Sequence, residues 1–177
     1  MEDTEHYFLD PVTAGKRQMA RQNMRDRIAD AYLCLLTKNE TVTVDKIIRK
    51  ANISRATYFR YFSSRDDIVV YKLIRMWENY ASLHQVKSPD TFDPENAYSF
   101  FEYVYCNRDV RRMLISTSKL NVSYEAFARV YGVRSRADYH SIFYGIGLWA
   151  VVDAWERRGY QESIEDMVRI IQDASIR

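Results

Sequence analysis

Residues 43–68 read TVDKIIRKANISRATYFRYFSSRDDI. Thr43 stands before Val44, Ile47, Ile48 and Ala51, which recur at the spacing of one helix face. A Thr side chain there caps the first turn, so a helix runs from Val44 to Ala51. Asn52 follows, and Asn tolerates the left-handed conformation of a sharp helix exit. Ser54 caps a second helix that runs to about Tyr61. Ser63 and Ser64 each place an Asp three residues later, Asp66 and Asp67, the geometry of a further helix start. Two short helices separated by Asn52-Ile53, the second opening on a capped basic segment, predict a helix-turn-helix. The second helix of such a motif enters the major groove with its N-terminal side chains at base edges. Arg55 and Arg60 suit guanine or phosphate, and Ala56 and the Thr57 methyl suit a thymine methyl. Ile53 and Phe62 read as inward anchors, Tyr58 as core, and Arg49 and Lys50 as a solvated face.

Outward from this stretch the pattern stays helical. Residues 1–15 are polar, with Pro11 and Gly15, and read as a loose arm. Met24, Ile28, Ala31, Tyr32 and Leu35 predict a first helix from Arg17 to Thr37. A fourth runs from Arg65 to about His84. Asp93-Pro94 has the form of an N-cap followed by Pro at the first helical position, opening a fifth through Tyr105. Segments at about 109–118 and 123–132 follow, then a long helix from Ala137 to Arg158 stopped by Gly159. Ser163 with Asp166 starts the last. The expected fold is all-α with about nine helices. An N-terminal three-helix helix-turn-helix domain over 16–65 precedes a C-terminal helical bundle over 66–177.

Charge separates the same two parts. Residues 16–65 hold 12 Lys/Arg against 4 Asp/Glu, while residues 66–177 hold 14 against 16. A basic segment beside a near-neutral remainder is the footprint of a nucleic-acid-binding module. Five Gly and three Pro in 177 residues disfavour a turn-rich β fold. No apolar run approaches the ~20 residues of a membrane span, and residues 1–10 lack the basic start of a secretory signal. Two cysteines, Cys34 and Cys106, make no disulfide framework and suggest the cytoplasm. Both read as buried apolar residues. His6, His84 and His140 have no partner at metal-ligand spacing, and no phosphate-binding Gly loop or Gly-x-Ser-x-Gly turn occurs. No catalytic residue, metal or cofactor is assigned.

The stretch from Thr43 to Ile68 resembles the TetR family of bacterial transcriptional regulators. It is similar to that family's Thr-capped helix, its Ala-Gly-Val-Ser turn, its Gly-Thr-Phe-Tyr-x-His/Tyr-Phe segment and its Ser-Lys-Glu-x-Leu start. The likeness covers roughly the first 70 residues. Asn52 stands in place of the turn Gly, and Ala56 where Gly is frequent. Tyr58-Phe59 replaces Phe-Tyr or Leu-Tyr, so Phe59 has no hydroxyl to offer a phosphate. Tyr61 and Arg65 match phosphate-contacting positions, with Arg in place of Lys. The resemblance implies a DNA-facing set of Thr43, Lys46, Arg55, Ala56, Thr57, Arg60, Tyr61 and Arg65. Asp45 is left out of it, because an acid there repels phosphate.

In the resemblance the C-terminal part holds a pocket for a small-molecule effector and the homodimer interface. Residues 101–108 and the pattern Gly145-x-Gly147, Trp155, Gly159 and Ser163 to Met167 carry a second likeness, to one C-terminal subtype. Trp77, Tyr80, Phe101, Tyr105 and Phe127 are the candidate ligand contacts. Gly145 and Gly147 inside a long helix cost about 1 kcal/mol each against Ala, which a close helix–helix approach offsets. The expectation is a cytoplasmic, ligand-responsive regulator that binds palindromic double-stranded DNA as a dimer, with no membrane partner. The fourth helix would carry the ligand signal between the two parts. The competing expectation is a helical protein of the same fold that binds another regulator rather than DNA. A ligand-binding bundle with enzymatic activity is the third.

Overall fold

The computed structural model describes residues 11–38, 41–87, 96–131 and 139–175. Among these the chain is all-helical, without a strand. The nine helices are α1 (Pro11–Leu36), α2 (Val44–Ala51), α3 (Arg55–Tyr61), α4 (Arg65–Leu83), α5 (Ala97–Cys106), α6 (Arg108–Ser116), α7 (Leu120–Val130), α8 (Tyr139–Arg157) and α9 (Ile164–Ser175). They form two compact units that divide between Ile68 and Val69.

In the first unit the buried face of α1 carries Ile28, Ala29, Tyr32 and Leu36. Ala31 of the same helix, with Val42, Ile47, Ala51, Tyr58, Phe62 and Ile68, completes the buried set. Full burial of a large apolar side chain stabilises by about 1.5–3 kcal/mol, so these few positions dominate a unit this small. Tyr58 is 1% exposed, as a core residue should be, and burial pushes its phenol up. The Arg25 guanidinium lies 5.3 Å from the centre of the Phe62 ring and ties α1 to the end of α3. The loose arm expected over residues 1–15 needs correction, because α1 already begins at Pro11. Pro suits the first helical position, where its missing N–H is an orphan anyway, and one interior Gly costs only about 1 kcal/mol. Residues 1–10 lie outside those described.

Side-chain caps define the short helices. Thr43 accepts from the Lys46 N–H at 3.3 Å, and Ser54 from the Thr57 N–H at 3.0 Å. Asn52 has φ 48°, in the left-handed region. Its N–H donates to Arg49 O and the Ile53 N–H to Ile48 O, both at 3.2 Å. This paired arrangement satisfies the last carbonyls of α2 and lets the chain turn at once. At α4, the Asp67 N–H donates to Ser64 Oγ at 3.0 Å while Asp67 Oδ2 accepts from the Ser64 N–H at 3.1 Å. The Ser63 hydroxyl also donates to Asp67.

The Ser63 hydroxyl, and then the Ser64 N–H, hold the Asp67 carboxyl below its ordinary range against a smaller opposing push from burial. A lowered folded-state pKa contributes stability above the unfolded value near 3.9 and loses it as pH falls through the folded value. Asp67→Ala should therefore destabilise by about 0.5–1.5 kcal/mol at pH 7, the usual net worth of a hydrogen bond. That difference should shrink as pH falls through the unfolded value toward the folded one. Urea titrations of both proteins at pH 7 and pH 3 check this, and a difference independent of pH would refute it.

The second unit has its own core. Trp77, Ala81, Phe100, Phe101, Val104, Ala128, Tyr131, Leu148, Val152, Trp155, Met167 and Ile171 are buried together. Phe101 meets Trp155 edge-on at 5.7 Å, and Trp77 meets Tyr103 at 5.1 Å. Left-handed residues end three of the helices: Gln85 after α4, Ser118 after α6 and Gly159 after α8. The Tyr160 N–H then returns to Trp155 O at 2.9 Å, and the Asp166 N–H donates to Ser163 Oγ at 3.1 Å to start α9. The cap expected at Asp93-Pro94 and the helix start expected at Ala137 lie outside the described residues.

Both cysteines correct the sequence reading: Cys34 and Cys106 are exposed and free. Each sits two residues, about 200° of helix, from a core position (Tyr32 and Val104), and so faces away from it.

Candidate functional site

The exposed face of α3 carries Arg55, Ala56, Phe59 and Arg60, positions i, i+1, i+4 and i+5 of one helix. Tyr58 and Phe62 point the other way, into the core. Thr57 and Tyr61 are half-buried at the margin. The Thr57 hydroxyl sits 2.8 Å from that of Ser54, so its oxygen serves the cap and its methyl is what remains to offer. Of the other residues set toward DNA by the sequence, Thr43 is exposed and spends its hydroxyl on the α2 cap, and Lys46 is half-buried. Arg65 is exposed, and its Nη1 donates to Val42 O at 2.5 Å, pinning the chain that leads into α2.

Two features of this surface were not legible in the sequence. Arg55 Nη1 is paired with Asp45 Oδ1 at 2.8 Å, with the two side chains 65% and 67% exposed. The same guanidinium stands 5.6 Å from the Phe59 ring, which is 52% exposed. An ion pair this open is worth about 0–1 kcal/mol and exchanges readily for another anion or acceptor. Its effect is geometric, because Asp45 from α2 and Phe59 from α3 hold one guanidinium at the N-terminal end of α3. The remaining N–H groups of that planar fork are suited to a carbonyl pair or a phosphate.

The second unit contains a partly open cavity of about 100 Å³. Its wall takes one face from each of several helices: Leu73, Ile74 and Trp77 from α4, and Phe100, Tyr103, Val104 and Asn107 from α5 and its cap. Val110 and Arg111 of α6, Ser123, Ala126, Phe127 and Val130 of α7, Tyr131, and Trp149 and Val152 of α8 close it. Of the five expected ligand contacts, Trp77 and Phe127 line this cavity. The other three lie outside the lining. Phe101 is fully buried against Trp155. Tyr105 stacks on Trp155 with Arg108 over its ring. Tyr80 stacks on Trp77 and donates its hydroxyl to Glu102. The cavity face of α5 is 100, 103, 104 and 107, so Phe101 and Tyr105 are one position out of phase with it.

Arg111 of that wall also belongs to a buried ion pair. Arg111 Nε contacts Glu156 Oε2 at 2.6 Å, and the side chains are 11% and 8% exposed.

One face of α8 is apolar and open. Tyr139 is 87% exposed, Phe143 75% and Ile146 47%, and Gly147, Ala150 and Ala154 continue the stripe. A Cβ built on Gly147 meets nothing within 4 Å. Leu148, Val152 and Trp155 occupy the opposite, buried face.

No group of metal-ligating side chains occurs among the described residues, and none of their helices is long and apolar enough to cross a membrane. Compared with family models, curated proteins and solved structures, the chain finds no match in any of the three.

Proposed function

We propose that this chain is a transcriptional regulator of the TetR type that binds palindromic duplex DNA as a homodimer and responds to a small molecule. The carrying observation is the exposed Arg55, Ala56, Phe59 and Arg60 face of a Ser54-capped helix, on a segment with 12 basic and 4 acidic residues over 16–65. In this reading α2 and α3 are the helix-turn-helix, and α3 lies in the major groove. Arg55 reads guanine, Ala56, Phe59 and the Thr57 methyl meet thymine methyls, and Arg60, Tyr61 and Arg65 face phosphates with Thr43 and Lys46 at the rim. A second copy covers the α8 stripe, because none of the stripe's residues from Tyr139 to Ala154 is charged and its small residues permit close approach. The cavity in the second unit takes the effector. Typical coupling between two such sites changes DNA affinity by about 5–150-fold.

Selection of bound sequences from a random duplex pool, followed by salt titration, tests the reading. The expected result is a palindromic consensus and a log–log slope that steepens with each phosphate neutralised. Arg55→Ala should lose about 1–3 kcal/mol on the selected site and relax one base position. Asp45→Ala should raise affinity for random DNA, by removing an anion near phosphate, while reducing the ratio of selected to random binding. If both substitutions shift selected and random DNA alike, Arg55 does not read bases.

A second reading, a helical protein that binds another regulator, is favoured by the Asp45–Arg55 pair and the exposed Phe59 ring. It predicts no salt-dependent binding to duplex DNA.

A further inference from the structure

The cavity wall is apolar except for a few groups, and most of those are engaged. Asn107 Nδ2 donates to Tyr103 O at 2.8 Å, Ser123 Oγ to Leu120 O at 2.7 Å, and the Tyr103 hydroxyl to Leu73 O at 3.4 Å. Among the described residues, two wall side chains keep a buried donor without a partner: Arg111 Nη2 and Trp149 Nε1. A buried donor left unpaired bears its whole desolvation cost, and that cost is greater for a charged group. Interiors contain few such groups, and each needs a reason. With two on residues of one cavity wall, an acceptor brought in by a ligand would find donors already stripped of water.

Charge decides what kind of acceptor. Arg111 is the only charged residue in the described lining, and Glu156 already balances it through the 2.6 Å contact. A carboxylate entering here would bring a second negative charge into a low-dielectric site whose one cation is already committed. Burial pushes the phenols of Tyr103 and Tyr131 up, so the wall gains no further charge from them. Size sets the rest. About 100 Å³, partly open, compares with the roughly 150 Å³ that admits benzene. One ring is the most that fits without rearrangement. The aromatic edges and faces of Trp77, Phe100, Phe127 and Tyr131 suit an aromatic ring.

We infer that the cavity binds a neutral, single-ring molecule bearing a carbonyl-type acceptor, with the ring among Trp77, Phe100, Phe127 and Tyr131 and the oxygen toward Arg111 and Trp149. Calling this molecule an effector rests on the proposed regulatory function. Its chemical class does not.

Titration calorimetry of the DNA-free protein with three probes of similar shape tests the inference: acetophenone, ethylbenzene and benzoate. Acetophenone should bind about 5- to 50-fold more tightly than ethylbenzene, the range expected for hydrogen bonds to donors already stripped of water. Benzoate should bind more weakly than acetophenone. Trp149→Phe removes one donor and keeps an aromatic wall, so it should cut the ratio of acetophenone to ethylbenzene affinity several-fold. Glu156 Oε1 is also buried without a partner. A turn of Glu156 onto Arg111 Nη2 would satisfy both groups within the chain and leave the acceptor no advantage. Equal affinities for acetophenone and ethylbenzene, tightest binding of benzoate, or no binding of any probe at millimolar concentration each overturn the inference. If the expected ranking holds while no duplex DNA is bound at any salt, the ligand class stands and the regulatory reading falls. If duplex DNA is bound and the ranking fails, the regulatory reading stands and the ligand class falls.

Discussion

Arg111→Met should destabilise the second unit by about 3–5 kcal/mol, the cost of leaving a buried carboxylate without its partner. Glu156 is 8% exposed, and Arg111 Nε is its contact at 2.6 Å. Removing the guanidinium leaves the buried carboxylate without that ion pair. The informative comparison is with Arg111→Met/Glu156→Met. Replacing both partners by apolar side chains of similar length removes two desolvation penalties together, and such replacements are often neutral or stabilising by about 1–4 kcal/mol. The single variant should therefore unfold at much lower urea than wild type, and the double should recover most or all of the loss. If the double variant were as unstable as the single, the pair would owe its importance to packing of the arginine stem rather than to charge. The double variant also removes the Arg111 donor, so in a folded protein it should erase much of the preference of the cavity for an acceptor.

The difference between what the sequence revealed and what it hid follows the range of the interactions. Thr43, Ser54, Ser64 with Asp67, and Ser163 with Asp166 act on backbone groups three residues away, so the residues alone give their geometry. Asn52 and Gly159 likewise exit their helices by a local left-handed turn. Helix order and most boundaries follow from these signals. The cavity does not. Residues 97–106 read AYSFFEYVYC, apolar on nearly every face, so periodicity cannot say whether Phe100 or Phe101 lines a space. The answer depends on which neighbours α5 meets. Arg111 and Glu156 are 45 positions apart, and Arg55 and Asp45 are 10 apart on different helices. Nothing in their spacing announces either pair. Asp45, set aside in the sequence because an acid repels phosphate, instead positions the arginine on which the proposed base reading most depends.

In the proposed homodimer, Gly147→Leu should weaken association by roughly 2–6 kcal/mol, about 30-fold to more than 10⁴-fold in Kd. The figure is the usual overpacking cost of about 1–3 kcal/mol counted twice, because a two-fold interface carries every substitution on both sides. Within one protomer the substitution has little to disturb. A Cβ at Gly147 meets nothing within 4 Å, and the residue is exposed on α8 between Phe143 and Ala150. Leu also has a higher helix propensity than Gly, by up to about 1 kcal/mol, so the isolated helix gains. A helix-favouring change in open space should leave the protomer as stable as before or more so. Any loss of assembly then comes from the partner surface alone, which separates an interface glycine from one that merely loosens its own helix. Sedimentation at micromolar concentration should show wild type as a dimer of the 21.0 kDa chain and the variant as a monomer with unchanged helix content. A wild-type monomer would remove the interface from α8. So would a variant that dimerises like wild type, since a leucine side chain cannot be hidden at a contact that relies on having none.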